Sequence, residues 1–343
     1  MRTRILAGLS FIIFHLSFSV SASAQSRYIQ AVDEYVPAPG QFTNTMPNAD
    51  ESDTPETMAA KCTEYLANNA RRLITLGAYG GYVTFHFDHP VANIAGQMDL
   101  LIEGNALVGG AEPGIVMVSQ DVNGNRLPDD PWYELAGSAD VDSIGKVVYG
   151  YEITYTRQGD LNDVAWTDNH EASGVVPRNG FHSQEYFPLW LGNELSFKGT
   201  LLPTNAVNRK PKGNDWVLSA LRYGYVDNLP NSDSEGCSFN LDWAVDPLTR
   251  QPVTLTHAHF FRVYTAQNQV CGWLGETSTE VAGAEDLHLE ASLQQASGIG
   301  AALNDNGQMI NDKFVYDLQG RQIVNRQLTR GLYIINGKKY INY

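Results

Sequence analysis

The sequence predicts a mainly-β protein. We expect an antiparallel β-sandwich or jelly-roll-like body with one N-terminal helix, followed by a small C-terminal β domain. Short runs alternate apolar and polar residues with a period of two, and their connections are rich in Gly, Asn, Asp and Pro. A single segment has a clear helical period. Two smaller β-domains divided near residues 156–179 are the alternative arrangement.

Composition narrows the possible partners. The chain has 343 residues, of which 43% are hydrophobic, so it can bury a sizeable core. Asp and Glu number 38 against 23 Lys and Arg, giving a formal net charge of −15. This balance argues against nucleic acid and anionic lipid as partners. It suits cations and neutral ligands such as sugars.

The N-terminus predicts export. Arg2 and Arg4 precede an apolar run from Ile5 to Val20, and Ala22-Ser23-Ala24 has the small residues of a cleavage site. Residues 1–24 therefore read as a signal peptide, with the mature chain beginning at Gln25. A transmembrane anchor is the alternative, but the apolar run is short for a span of ~20 residues. The cleavage site contains no Cys, so we do not expect a lipid anchor.

Residues 25–52 are predicted to form an extended arm, and the Pro-, Asn- and Asp-rich stretch from Tyr35 to Asp53 is predicted to run over the surface. The helix follows. Asp53 or Thr54 can cap it, and Pro55 suits its first turn. One apolar stripe is then formed by four side chains: Met58, Cys62, Tyr65 and Leu66.

The body, residues 53–291, is otherwise predicted to consist of strands. The first clear run places Val83, Phe85 and Phe87 on one face. The main predicted strands are 82–88, 115–119, 147–156, 194–201 and 260–265.

An acidic loop predicts a calcium site. Side chains that carry oxygen occupy every second position from Asp121 to Asn125, and Gly124 allows the backbone to bend tightly between them. Calcium takes six to eight oxygen ligands, whereas magnesium prefers a smaller octahedral cage. An Asx-rich turn without metal is the alternative. The predicted ligands of a structural Ca²⁺ are Asp121, Asn123, Asn125, Leu127, Asp129, Asp130 and Glu134.

Aromatic residues beside turns predict a ligand surface. Such side chains can stack on sugar rings or on a flat cofactor, although each of them can instead cap the core. Trp132 directly follows the acidic loop. The candidate ligand-binding residues are Trp132, Trp166, Trp190, Trp216, Tyr225 and Trp273.

Catalytic and crosslinking signals are weaker. Four acids lie close in sequence, and a pair ~5–9.5 Å apart could hydrolyse a glycoside: Glu276, Glu280, Glu285 and Asp286. His257 and His259 have no evident third zinc ligand. Of the three cysteines, Cys237 and Cys271 are the likelier bridge, because Cys62 falls on the buried helix stripe.

The C-terminal segment carries a resemblance. Residues 292–308 read as a linker, and residues 309–343 contain "VYDLQGRQI" and "RGLYIINGKKYIN". These runs resemble the C-terminal sorting domain of Bacteroidota type IX secretion. The resemblance implies the type IX secretion machinery as a partner and delivery across the outer membrane. An ordinary terminal hairpin is the alternative.

The body carries a second resemblance, from about Glu34 to Leu289. The stretches "GAYGGYVTFHFDHPV", "EPGIVMVSQDVNGNRLPDDPWYELAGS" and "GVVPRNGFHSQEYFPLW" are similar to a family of secreted Bacteroidota cell-surface proteins, some described as PKD-like. The resemblance implies an exported surface protein found beside outer-membrane uptake systems. We therefore expect binding of a glycan or a scarce nutrient such as cobalamin, passed to an outer-membrane transporter. A polysaccharide-degrading hydrolase and a surface adhesin are the alternatives.

Overall fold

A computed structural model describes residues 25–210, 212 and 214–296, together with the backbone of five short strands between residues 302 and 342. The predicted signal peptide and the turns of the predicted sorting domain lie outside the described residues. In the described part, no helix is both long and apolar enough to cross a membrane.

The secondary structure consists mostly of short strands. The helices are α1 Pro55–Leu66 and α2 Leu289–Ala296. The strands of the body are β1 Ala31–Val36, β2 Ile74–Thr75, β3 Tyr82–Ala92, β4 Leu100–Glu103, β5 Gly114–Ser119, β6 Trp132–Leu135, β7 Val148–Thr156, β8 Val164–Asp168, β9 Ser173–Val176, β10 Glu194–Leu201, β11 Ala206–Asn208, β12 Trp216–Leu218, β13 Ser238–Phe239, β14 Ala244–Val245, β15 His257–Thr265, β16 Glu280–Val281 and β17 Gly283–Asp286. Beyond them lie β18 Ala302–Leu303, β19 Met309–Ile310, β20 Val315–Tyr316, β21 Gly331–Ile335 and β22 Lys338–Asn342.

The largest sheet among the described residues is antiparallel, with the strand order β1–β3–β15–β5–β6–β14. The period-two prediction for β3 is confirmed, because Val83, Phe85 and Phe87 are all buried. Phe85 lies opposite Phe261 of β15, and their rings stack with centroids 5.7 Å apart. This face forms the main core with α1 and the short sheet β13–β4–β17.

The other face of this sheet packs against a second antiparallel sheet, β10–β7–β8–β9. Tyr82 meets Phe197 of β10 edge to face, and the Thr200 N–H donates to the hydroxyl of Tyr264 on β15. The predicted mainly-β, sandwich-like fold is therefore confirmed. Strands β7 and β10, on either side of residues 156–179, pair with each other, so the chain is not divided there.

Helix α1 forms where the sequence predicts it. Thr54 is the N-cap and accepts a hydrogen bond from the N–H of Thr57. Met58, Cys62 and Leu66 are buried against the sheet. The helix thus buries its predicted stripe and adds one layer to the sandwich.

The predicted surface course of residues 35–53 was wrong for its first half, because most residues from 35 to 44 are buried, whereas residues 50–52 are exposed. Residues 31–36 form edge strand β1, which pairs with β3. Tyr35 is fully buried and its hydroxyl donates to the Thr75 carbonyl at 2.7 Å. The segment is drawn inward because β3 would otherwise leave an unpaired edge, and because the side chains of β1 fill the core.

Two other expectations need correction. Helix α2 was not predicted, and it continues the body into the predicted linker; buried Ser292 accepts a hydrogen bond from the Ala92 N–H at 2.9 Å. The bridge between Cys237 and Cys271 was also wrong. Both are free, buried thiols, as is Cys62.

Candidate functional site

A cavity of about 570 Å³ opens between the loops that flank β12 and β16. Trp216 and Trp273 line its wall, and Glu112 and Glu280 line its acidic end. The residues that form it come from distant parts of the chain, since Gln41 and Asn179 also contribute. It is the place where two predicted aromatic residues and one predicted acid meet.

Three carboxylates converge at the acidic end. One oxygen from each of Glu112, Asp227 and Glu280 lies within 4.8 Å of the others. We call these residues the acid trio. Asp227 and Glu280 are buried, whereas Glu112 is half-buried and faces the cavity.

The backbone holds each member of the trio in place. Val226 bridges Gly114 at the start of β5, which sets Asp227 beside Glu112. Asp227 has a φ of +57°, a left-handed conformation that Asp tolerates better than most residues. A Cβ built on Gly104 would lie 2.4 Å from Asp227 Oδ1, so only glycine permits this close approach. Glu280 begins β16 and pairs with Thr75 of β2.

Neutral donors contact the acid trio. Asp227 accepts from the N–H groups of Asn105 at 2.7 Å and of Glu280 at 2.9 Å. Glu280 accepts from the hydroxyls of Ser278 at 2.6 Å and of Thr75 at 3.0 Å. Within the described part of the chain, none of the ion pairs involves a member of the trio. The trio therefore concentrates negative charge without a protein cation.

Burial raises the pKa of each carboxyl in the trio, and mutual repulsion raises the pKa of Glu112 and Glu280 further. The neighbouring Glu276 adds to this field. Its own pKa is raised to about 8, chiefly by burial. Burial and repulsion both disfavour the ionised forms of these carboxyl groups, whereas a cation placed among them would favour the ionised forms.

Among the described residues, several buried polar atoms on or beside the cavity have no partner. The hydroxyl of Thr277, a cavity-lining residue that is 2% exposed, makes no hydrogen bond. Oε2 of Glu276 is also buried and unpartnered, although Oε1 accepts from the Gln41 N–H. The indole N–H of Trp216 is a third such group. Unpaired buried polar groups are costly, so the two such groups on cavity-lining residues, those of Thr277 and Trp216, are available to a ligand.

The two cavity tryptophans are held differently. Gly272, with a φ of +57°, packs so closely on Trp216 that a Cβ there would lie 2.6 Å from its indole nitrogen. Trp273 is 50% exposed, and its indole N–H donates to the Asn214 carbonyl at 3.0 Å. One ring is thus fixed in the wall while the other stands open to solvent.

The other predicted ligand-binding aromatics lie elsewhere. Trp132 is covered by the Arg262 guanidinium, 4.4 Å from the ring. Trp190 stacks on Tyr35 in the core. Tyr225 is buried, and its hydroxyl accepts a hydrogen bond from the Ala139 N–H. Trp166 packs against the second sheet. These four residues have packing contacts typical of structural aromatics.

The predicted calcium loop is closed by its own hydrogen bonds. Asn125 bridges two neighbours, since its N–H donates to Asn123 Oδ1 at 2.9 Å and its amide donates to Asp129 Oδ2 at 2.9 Å. The N–H of Val122 donates to Asp130. Asp121 accepts from the Arg126 N–H, while its other oxygen has no partner. The side chains at 121, 123, 125, 129 and 130 therefore gather in one bend, as predicted for a turn or a metal loop. Leu127 is 55% exposed in the same bend.

Glu134 does not belong to that loop. It is 1% exposed on β6, and both carboxylate oxygens are engaged by Thr200, Tyr264 and Arg250. Its inclusion among the calcium ligands was therefore wrong. Along a strand successive side chains point to opposite faces, and Glu134 faces the second sheet.

The remaining predicted groups are dispersed. Glu285 pairs with Arg27 at 2.7 Å, and buried Asp286 contacts His89 at 2.8 Å. His259 accepts from the Asp121 N–H, which ties it to the acidic loop. Neither Glu285 nor Asp286 reaches the acid trio. Of the acids singled out in sequence, Glu280 alone is a member, with Glu276 beside it.

Glu112 and Asp227 were missed in the sequence because neither stands in a recognisable spacing. Glu112 precedes Pro113-Gly114, and Asp227 follows an apolar Tyr-Val pair. Both acids lie at the end of an apolar run, which was the one sequence feature that could have identified them. The same feature recurs throughout the chain and therefore does not single them out. Comparison with known proteins adds no assignment: no family model matches the sequence, and no curated protein is significantly similar to it.

Proposed function

We propose that this protein is an exported cell-surface binding protein that holds a small glycan in the cavity between Trp216 and Trp273. The observation that carries the proposal is the meeting of two indole rings with an acidic wall in one cavity. Indole faces can stack on the apolar face of a sugar, and carboxylates accept hydrogen bonds from its hydroxyls. The chain's negative charge favours a neutral rather than an anionic glycan.

The size of the cavity favours a small sugar over cobalamin as the ligand. Pockets of about 300–1,000 Å³ enclose drug-sized ligands. A volume of about 570 Å³ suits one or two sugar rings better than a whole cobalamin. Cobalamin therefore remains the less favoured ligand of the binding hypothesis.

A glycan array followed by calorimetry tests the proposal. We expect Trp216→Ala and Trp273→Ala each to weaken binding about tenfold, which is about 1.4 kcal/mol. Trp132→Ala is the matched control, because that ring lies under Arg262 and away from the cavity. Equal affinity for the cavity variants and the control would reject this cavity as the binding site.

A glycoside hydrolase is the second candidate. Glu112 and Glu280 both line the aromatic cavity, and one oxygen of each lies within 4.8 Å of the other. Retaining enzymes hold their carboxyl groups ≈5–5.5 Å apart. Release of sugar from array hits by the wild-type protein, but not by Glu112→Gln, would favour this reading. Binding without turnover would favour the first.

Export, surface location and a calcium ion in the acidic loop are part of the same proposal. Residues 1–24 and 309–343 support export, and deletion of 309–343 should abolish surface delivery. The clustered oxygens around Asp121 support calcium. Calcium should raise the melting temperature of the wild type more than that of Asp121→Ala. Equal shifts would remove the loop as a calcium site.

A further inference from the structure

We propose that the acid trio Glu112, Asp227 and Glu280 is a second divalent-cation site, selective for Ca²⁺ and open to the cavity. The trio is separate from the acidic loop. Cation binding by the trio is also independent of the proposed glycan binding in the cavity. Calcium binding to the trio can therefore be measured without any sugar.

The geometry fits a single calcium ion. Calcium binds oxygen at 2.3–2.6 Å, so two ligands on opposite sides of one ion are about 4.6–5.2 Å apart. Three oxygens within 4.8 Å of one another can therefore all contact the same Ca²⁺. Magnesium demands near-ideal octahedral geometry and keeps several of its waters, so a cluster of three protein carboxylates suits calcium better.

The electrostatics favour a cation. The three carboxyl groups have oxygens within 4.8 Å of one another, two of them on buried residues, so their ionised forms would repel one another. In the described residues, no Lys, Arg or His forms an ion pair with the trio. Buried charges are ordinarily paired or bound to a metal. A divalent ion among the three oxygens would supply the counter-charge that no described side chain provides.

An independent observation points to a ligand in the same cavity. The buried hydroxyl of Thr277 lines the cavity without a hydrogen-bond partner. It can supply a neutral oxygen to the coordination shell. The open side of the cavity leaves room for waters or for the hydroxyls of a bound sugar, which brings the ligand count toward six to eight.

The test is calcium titration by calorimetry on purified protein stripped with chelator. Glu112→Gln should lower the stoichiometry by one site, or weaken that site at least about tenfold. Glu112 faces the cavity, and its carboxylate accepts a hydrogen bond of 3.3 Å from the Ser278 N–H, a contact that a Gln side chain can keep, so the Gln variant should fold. Glu285→Gln is the matched control, since that acid pairs with Arg27 outside the trio.

The loop variant Asp121→Ala separates the two sites, because it should retain the calcium bound by the trio. Wild-type stoichiometry and affinity in both Glu112→Gln and Glu280→Gln would overturn the proposal. Magnesium should bind more weakly than calcium, and preference for Mg²⁺ would contradict the predicted selectivity. Terbium luminescence gives a second measurement: Trp216→Phe should reduce the sensitised emission, whereas an unchanged signal in this variant and in Glu112→Gln would count against the site.

Discussion

Arg250→Met should destabilise the fold by about 3–5 kcal/mol, because it leaves the buried Glu134 without its cation. The Arg250 guanidinium contacts Glu134 and also Asp140, the latter at 2.8 Å, and lies 4.7 Å above the Tyr149 ring. The side chain of Glu134 is 2% exposed, so water cannot replace the lost partner. The contacts with Asp140 and Tyr149 add at most about 1 kcal/mol each.

The pH dependence of the loss follows from the same contact. Burial raises the pKa of Glu134, and the charge of Arg250 opposes that rise. Without Arg250 the folded-state pKa rises further above the unfolded value. A group of this kind contributes stability that is present at low pH and lost as pH increases. The deficit of Arg250→Met should therefore be smaller at pH 5 than at pH 8.

Urea unfolding followed by tryptophan fluorescence measures the effect at both pH values. The matched control is Lys198→Met, which removes an exposed pair with Glu152 at 2.6 Å, with side chains 57% and 50% exposed. That variant should lose less than about 1 kcal/mol. If Arg250→Met costs no more than the control, the assigned role of the buried pair is refuted.

Three further predictions concern the fold and the site. Thr54→Ala should cost about 1 kcal/mol by removing the N-cap of α1, and an unchanged urea midpoint would contradict the capping contact. Phe85→Ala should cost about 3–5 kcal/mol in the same assay, because the ring is fully buried against Phe261. Glu276 has its pKa raised to about 8, so its contribution to stability falls as pH rises from its unfolded pKa through 8. Glu276→Gln should therefore gain in stability relative to wild type between pH 5 and pH 9, and parallel pH profiles of the melting temperature would contradict this.

Much of the fold was predictable because its signals are local. The cap at Thr54, the stripe of α1 and the alternation along β3 each depend on neighbouring residues, and the structure confirms all three. The arm was misread for the opposite reason. Its Pro, Asn and Asp residues are typical of a surface loop. The arm instead pairs through β1 with β3, and this pairing depends on β3 having a free edge, which no local pattern shows.

The candidate site was only partly predictable. Trp216, Trp273 and Glu280 were named among larger sets, yet no spacing separated them from Trp190, Trp166 or the other acids. Glu134 was assigned to the wrong place because it follows the acidic loop in sequence. The turn at residues 128–129 is followed closely by β6, and the strand carries the carboxylate into the core rather than back toward the loop.

The sequence by itself determined the strand-rich class, the single capped helix of the N-terminal region and the acidic bend. These depend on backbone preferences and side-chain periodicity over a few residues. Only the tertiary structure decided which acids meet. Asp227 and Glu280 are 53 positions apart, and Glu112 precedes both. They converge because β16 pairs with β2 and Gly114 of β5 bridges Val226, and contacts of that kind depend on the whole core rather than on any local stretch of chain.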